Sequence, residues 1–191
     1  MIGYRRNERV KYLLHIVLLC WVIIIAENTT TAQQKTLQNT HPQGAPDSLT
    51  VWVFLAVDCP ISQKYISELR RMDSVYASQK LRVRGIVPGK VNPTEVKTFV
   101  EEYAIKFPVS IDGDFTRVRQ FHATITPESI LVDHQGQVLY QGAIDNWFFD
   151  LGKYRQRVTE HYLQDAIDAA LQGKIPAVRK TEAVGCIIQT P

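Results

Sequence analysis

The 191-residue chain is expected to form an α/β domain: a central, mostly parallel sheet with an antiparallel C-terminal hairpin and helices on both faces. Three observations lead there. From residue 49 onward, apolar segments of strand length alternate with segments of helical periodicity. The first strand, residues 49–57 (LTVWVFLAV), is almost wholly apolar, β-branched or aromatic, as a strand covered on both sides would be. Late in the chain, residues 129–133 and 138–141 flank His134-Gln135-Gly136, the pattern of a hairpin.

The elements follow in order. Residues 1–32 stand apart: Arg5, Arg6, Arg9 and Lys11 precede an apolar run over 12–26, broken by His15, and a polar stretch ends in Thr30-Thr31-Ala32. Basic start, apolar middle and small residue form a signal peptide. The run falls short of the roughly 20 residues that cross a bilayer, although an uncleaved anchor is the alternative. Cys20 follows Leu19, where a lipid-acceptor cysteine wants a small residue, so it reads as apolar filler lost on processing. Residues 33–48 are polar, contain two prolines and form a flexible linker.

Beyond the first strand, Tyr65, Ile66, Leu69, Met72, Val75 and Tyr76 recur at helical spacing and predict a helix over 60–77. Residues 81–87 form the second strand. Asn92 as cap, Pro93 in the first turn and Glu95 three residues on start another helix, burying Val96, Phe99, Val100 and Tyr103. A short strand over 107–111, a short helix over 114–121 and the hairpin come next. A last helix over 160–172 buries Leu163, Ala166, Ile167 and Ala170 and stops at Gly173. The domain spans 49–175. The tail, 176–191, is irregular, with an apolar knot at 184–188 and one cysteine, Cys186.

A net charge of +3, without any stripe of basic residues interleaved with aromatics, excludes nucleic acid as a partner. No cofactor or metal site is expected. After processing two cysteines remain, in a compartment that permits disulfides.

The chemistry points to Cys59. It follows the central strand in Ala56-Val57-Asp58-Cys59-Pro60-Ile61-Ser62 and opens a helix. A helix start carries unpaired N–H groups and partial positive charge, which stabilise a thiolate. Pro60 suits the first helical position, Ser62 offers a hydroxyl to the sulfur, and Lys64 adds positive charge, whereas Asp58 opposes ionisation. The alternative is a small buried apolar cysteine. Thr126-Pro127 leads into the hairpin strand, where a proline lacks a donor and favours a special peptide geometry, often cis. In a sheet of this order that loop falls beside the start of the first helix.

The segment 52–62, the Thr126-Pro127-Glu128 turn, the Gly136 hairpin and Tyr140-Gln141-Gly142 resemble the thioredoxin-like superfamily. Within it, they are most similar to the redoxin branch of alkyl hydroperoxide reductase/thiol-specific antioxidant proteins and membrane-linked thioredoxin-like proteins. The resemblance covers residues 49–171, and 181–186 look like the end of bacterial redoxin-domain proteins. It implies thiol–disulfide exchange outside the cytoplasm, periplasmic or membrane-anchored, with protein thiols or disulfides or a small peroxide as partner and an electron-donating thiol protein. Departures are clear. A thioredoxin-type Cys-x-x-Cys would need a second cysteine where Ser62 stands. A peroxiredoxin would carry threonine and proline where this chain has Ala56 and Trp52, and a copper-delivery relative would need cysteine at Gln63.

The resemblance makes Cys186 the second thiol: Cys59 attacks, Cys186 resolves the mixed disulfide, and Pro127 shapes the substrate groove. A static disulfide or an unpaired thiol stays open. Gly185 gives the backbone room to turn Cys186 toward another surface. Of the histidines only His122 is near the site, as a capping or surface residue. Asp145, Asn146 and Trp147, with Lys153, Arg155 and Arg157, are expected as a solvated polar-aromatic loop. The expected function is thiol–disulfide oxidoreduction, with a thiol peroxidase or a non-catalytic metal- or partner-binding module as alternatives.

Overall fold

The structure, a computed structural model, describes residues 48–190. The signal segment and nearly all of the linker lie outside the described residues. Strand β1 (Leu49–Phe54) occupies the middle of a five-stranded sheet. It is followed by helix α1 (Pro60–Tyr76), a 3₁₀ turn (Ala77–Gln79), strand β2 (Leu81–Pro88) and helix α2 (Pro93–Glu102). Then come β3 (Val109–Asp112), α3 (Thr116–Phe121), β4 (Ile125–Thr126), β5 (Glu128–Val132) and β6 (Val138–Gly142). The chain closes with β7 (Phe148–Asp150), β8 (Lys153–Tyr154), α4 (Tyr162–Leu171) and β9 (Cys186–Ile187).

The sheet order is β3-β2-β1-β5-β6. β1 runs parallel to β2, with Leu49 opposite Leu81 and Phe54 opposite Ile86, and β2 runs parallel to β3. On its other side β1 pairs antiparallel with β5, Phe54 opposite Glu128, and the β5–β6 hairpin completes that edge. The core alternates as pleated strands require. Leu49, Val51 and Val53 pack with Leu81 and Val83 against Ile66 and Leu69 of α1 and Leu163 and Ile167 of α4. Phe54, Ile86 and Ile130 turn the other way, onto Val118 and Phe121 of α3.

That second face is only half covered. α3 has six residues, too few to shield the whole length of β1, and Trp52 is left half-buried. The guanidinium groups of Arg117 and Arg84 lie 4.7 and 5.7 Å from its ring centre, so a cation–π stack replaces part of the expected apolar cover.

The capping rule holds at α2, where the Asn92 side chain accepts the Thr94 N–H at 2.9 Å. α3 starts later than expected because Asp112 holds its first turn, accepting the N–H groups of Arg117 and Val118. α4 also starts later. Asn146 Oδ1 accepts the Thr159 and Glu160 N–H groups and keeps that stretch out of the helix.

Two expectations fail. The loop over 145–157 is no solvated loop: it contains the β7–β8 hairpin, and Asp145 and Asn146 are buried. The tail is not irregular either. Gln141 N–H donates to Arg179 O at 3.0 Å, and Thr181 N–H returns to Gln141 O at 3.1 Å, so the tail first joins the β6 edge. Gly142, at φ +142°, permits this approach, since a Cβ there would collide with Thr181. Further on, β9 pairs antiparallel with β4, setting Thr126 opposite Cys186 and Ile125 opposite Ile187. Ile188 N–H then donates to Thr124 O at 2.8 Å. The tail is thus a strap tied on both sides of its cysteine.

Candidate active site

The floor of the site is the junction between β1 and α1. Leu55 N–H continues the sheet by donating to Ile86 O at 2.8 Å, and the chain then turns so that Cys59 N–H reaches Ala56 O at 3.2 Å. Cys59 is the N-cap of α1, in extended conformation, with Pro60 at the first helical position and no acidic residue in the first turn. A cap without side-chain oxygen, followed by a turn without carboxylates, leaves the helix-start donors to the sulfur. Gln63 fixes the approach, donating its side-chain N–H to Val57 O at 2.8 Å.

Two elements roof this floor. The Thr126-Pro127 peptide bond is cis, and Thr126 O lies 3.3 Å from Cys59 Sγ, placed to accept the thiol proton. Glu128 braces this turn: buried just after Pro127, its carboxylate accepts Thr124 N–H at 3.0 Å and Gln141 Nε2 at 2.8 Å. Sequence reasoning assigned Glu128 no role. The signal was there, a carboxylate heading a mostly apolar strand, because a buried charge needs partners. The second roof element is β9. Gly185 lies against Thr126 O so closely that any Cβ would collide, and Thr126 Oγ1 donates to Cys186 O at 3.3 Å.

The two thiols meet under this roof. Cys186 Sγ is 2.7 Å from Cys59 Sγ, and both cysteines are free. Cys59 is 0 % exposed, whereas Cys186 is half-buried at the rim. Their thiols are displaced in opposite directions. Burial works to raise Cys59, but the Cys186 thiol and the backbone and hydroxyl of Ser62 favour its thiolate, and the net position is below the ordinary thiol range. Cys186 is pushed up to about 12 by burial, by donating to Cys59, and by the charges of Cys59 and Asp58. Of the two thiols, Cys59 is therefore the one that ionises first, while Cys186 keeps its proton.

Several neighbours act otherwise than expected. Ser62 is fully buried and its hydroxyl also accepts Ala56 N–H at 3.3 Å, so it braces the turn as well as facing the sulfur. Lys64 does not serve Cys59: its ammonium lies 5.9 and 5.7 Å from the ring centres of Trp147 and Tyr154, drawn off by the aromatic hairpin. Asp58 is exposed and bears on Cys186 rather than on Cys59. Asp145 accepts the Tyr65 hydroxyl and the Trp147 N–H, which binds the β7–β8 region to α1. His122 is exposed at the end of α3. Among the described residues no three His, Cys, Asp or Glu side chains gather as a metal-ligand set.

The thiol-disulfide oxidoreductase ResA of Bacillus thuringiensis subsp. konkukian is 25% identical to this chain over 132 residues, which are 68% of this chain and 73% of that protein. Among solved structures, a hypothetical protein of Sinorhizobium meliloti 1021 superposes with a TM-score of 0.67 at 25% identity, covering 78% of this chain and 82% of its own. One from Chlorobium tepidum, described as "a putative Thiol:disulfide interchange protein DsbE", superposes with a TM-score of 0.54 at 21% identity, covering 65% and 80%. The shared architecture is the thioredoxin-like fold, with its mixed sheet and flanking helices. The AhpC/TSA family matches residues 25–141, more than half of the sequence, and the chain belongs to that family.

Proposed function

We propose that this chain is an exported thiol–disulfide oxidoreductase whose working couple is Cys59 and Cys186, joined across the roof of the site instead of within a Cys-x-x-Cys turn. The observation that carries the reading is the 2.7 Å separation of two free thiols at the start of α1, beside the cis Thr126-Pro127 bond. A disulfide needs sulfurs about 2.05 Å apart, so only a small closing movement separates the pair from a bond. Cys59 supplies the stabilised thiolate, Ser62 and Pro60 shape the helix start, and Thr126 and Pro127 form the wall. The ResA relatives, named for thiol–disulfide exchange, support this class of reaction, with protein thiols or disulfides as substrates and a thiol protein as electron donor. Export rests on the basic and apolar pattern over 1–32. The domain is 49–175, and the tail 176–191 supplies half of the redox centre.

The test is direct. Mild oxidation of the full chain should give a Cys59–Cys186 disulfide by peptide mapping. Cys59→Ser and Cys186→Ser should each reduce catalysed exchange with a protein disulfide to the uncatalysed background. Full activity in either variant would end this reading. The family match favours one alternative, a thiol peroxidase. It would be supported by rapid sulfenic acid formation at Cys59 in Cys186→Ser on adding peroxide. Against it, Cys59 has no open face and Ala56 stands where a peroxide-orienting threonine would be.

A further inference from the structure

The couple is asymmetric in access, and the asymmetry decides where exchange begins. Cys59 is 0 % exposed and its sulfur faces Thr126 O and Cys186 Sγ. To reach it, an incoming sulfur must lift β9. That breaks the Thr126–Cys186 pairing, the Ile188–Thr124 hydrogen bond and the contact of Gly185 against Thr126 O. Cys186 is half-buried instead of sealed and is followed by Ile187 at 75 % exposure, so it is the nearer of the two sulfurs to solvent.

We propose that Cys186, not Cys59, is the sulfur that meets the partner, and that Cys59 is the sulfur that leaves. This rests on the reading that the two cysteines are the working couple. A displacement at sulfur requires the attacking thiolate to approach opposite the departing sulfur. Attack on Cys59 would have to come from the protein interior, whereas attack on the half-buried Cys186 comes from the side on which Ile187 faces solvent. The leaving group also fits, since a thiol held below the ordinary range departs faster, and Cys59 is the one so held.

The steps balance. In the oxidised chain, a thiolate of a partner dithiol attacks Cys186 Sγ. A partner–Cys186 bond forms, the Cys59–Cys186 bond breaks, and its electron pair stays on Cys59 at the helix start. The partner's second thiol loses its proton to solvent and attacks the partner's first sulfur. A disulfide forms in the partner, and Cys186 departs as a thiolate and takes up a proton. The partner is oxidised by two electrons and gives up two protons; the chain gains two electrons and one proton. In reverse, Cys186 gives its proton to solvent and its thiolate attacks a partner disulfide, whose far sulfur leaves as a thiolate and takes up a proton. The Cys59 thiolate, 2.7 Å away, then attacks Cys186 Sγ, and the partner's first sulfur departs as a thiolate and is protonated in turn.

The experiment uses the full chain with Cys20→Ser, so that two thiols report. Cys59→Ser and Cys186→Ser are each reacted with the aromatic disulfide 5,5′-dithiobis(2-nitrobenzoate) at neutral pH. Ionisation alone would make Cys59 the faster thiol. Access reverses this, so Cys59 should react at least about tenfold more slowly than Cys186. Adding Gly185→Ala to the Cys186→Ser chain unseats the strap and should restore that loss by about tenfold. Independently, the oxidised chain with both cysteines present is mixed with glutathione, quenched in acid and mapped. Glutathione on Cys186 with Cys59 free is expected. Glutathione on Cys59, or Cys59 reacting as fast as Cys186, overturns the assignment while leaving the couple intact. If no Cys59–Cys186 disulfide forms on oxidation, the couple itself fails, and this inference with it.

Discussion

The start of α1 and the tail strap each carry one sulfur of the pair, and they are built in opposite ways. Cys59 sits at the end of a central strand, on a helix whose Ile66 and Leu69 are at most 1 % exposed within the main core. Cys186 sits on a two-residue strand held by a few hydrogen bonds, with Val184 and Ile188 only half-buried and Ile187 facing solvent. If the two cysteines are the proposed couple, the contrast is a division of labour: the rigid part holds the more readily ionised sulfur among oriented donors, and the lightly held part brings the second sulfur to it.

The largest effect that would break this contrast is on stability. Leu69→Ala removes a side chain with 0 % exposure and should cost about 2–5 kcal/mol, lowering the denaturant midpoint of the whole domain. A strap substitution should leave that midpoint almost where it was. If Leu69→Ala and a strap variant shifted it equally, the strap would be part of the cooperative core and the contrast would vanish.

Next is the pH dependence of the couple. Cys59 lies below the ordinary thiol range, so its contribution to the stability of the reduced form is present above that range and lost as pH falls through its lowered value. Cys186 has the opposite sign: its contribution is present below the ordinary range and lost as pH rises through about 12. Between these titrations the reduced pair holds one proton, so two-electron reduction takes up one proton. The midpoint potential should then fall by about 30 mV per pH unit. A slope twice as steep that persists up to the ordinary thiol range would mean that both thiols stay protonated there, and that the helix start does not stabilise Cys59.

The two regions also differ in how legible they are in the sequence. The junction follows local rules: an apolar strand, a proline at the first helical position and amphipathic spacing give the start of β1, Cys59 and α1, although the strand ends at Phe54 and not at the expected Val57. The strap follows none of them. Its pairing depends on the bare edges of β6 and β4, on Gly142 and Gly185 having no Cβ, and on contacts between residues 38 or more apart in the chain, made only once the sheet exists. The residues 184–188 were visible as an apolar knot, and nothing in two-residue strands encodes a partner. Ser62, Thr126 and Pro127, which the structure places around the start of α1, were singled out as candidates from spacing and resemblance. Glu128 was not, because a single buried carboxylate resembles a surface residue until its partners Thr124 and Gln141 are known.

A smaller effect sharpens the strap's side. Thr181 Oγ1 accepts Ala143 N–H at 3.0 Å and pairs with the Tyr140 hydroxyl at 2.6 Å. Thr181→Val keeps the shape and removes the acceptor, at a cost of about 1 kcal/mol. Spent locally, that opens the strap more often. Hydrogen exchange at the Thr181 and Ile188 amides should accelerate about fivefold while the α1 amides stay unchanged. Equal acceleration in both places would again fuse the two regions.

The smallest effect concerns a residue whose sequence position suggests a role that its geometry denies. Lys64 is five residues after Cys59 and was expected to stabilise its thiolate. The ammonium instead lies over Trp147 and Tyr154, and the influences on Cys59 come from burial, Cys186 and Ser62. Lys64→Ala should therefore leave the pH dependence of Cys59 alkylation unchanged and cost about 0.5–1 kcal/mol of cation–π contact, seen as altered Trp147 fluorescence. Asp58→Asn should lower the Cys186 thiol and likewise spare Cys59, since the carboxylate bears on the strap's sulfur. Were Lys64→Ala to raise the Cys59 titration, the helix start would no longer suffice as the source of its thiolate, and the rigid half of the comparison would lose its chemical meaning.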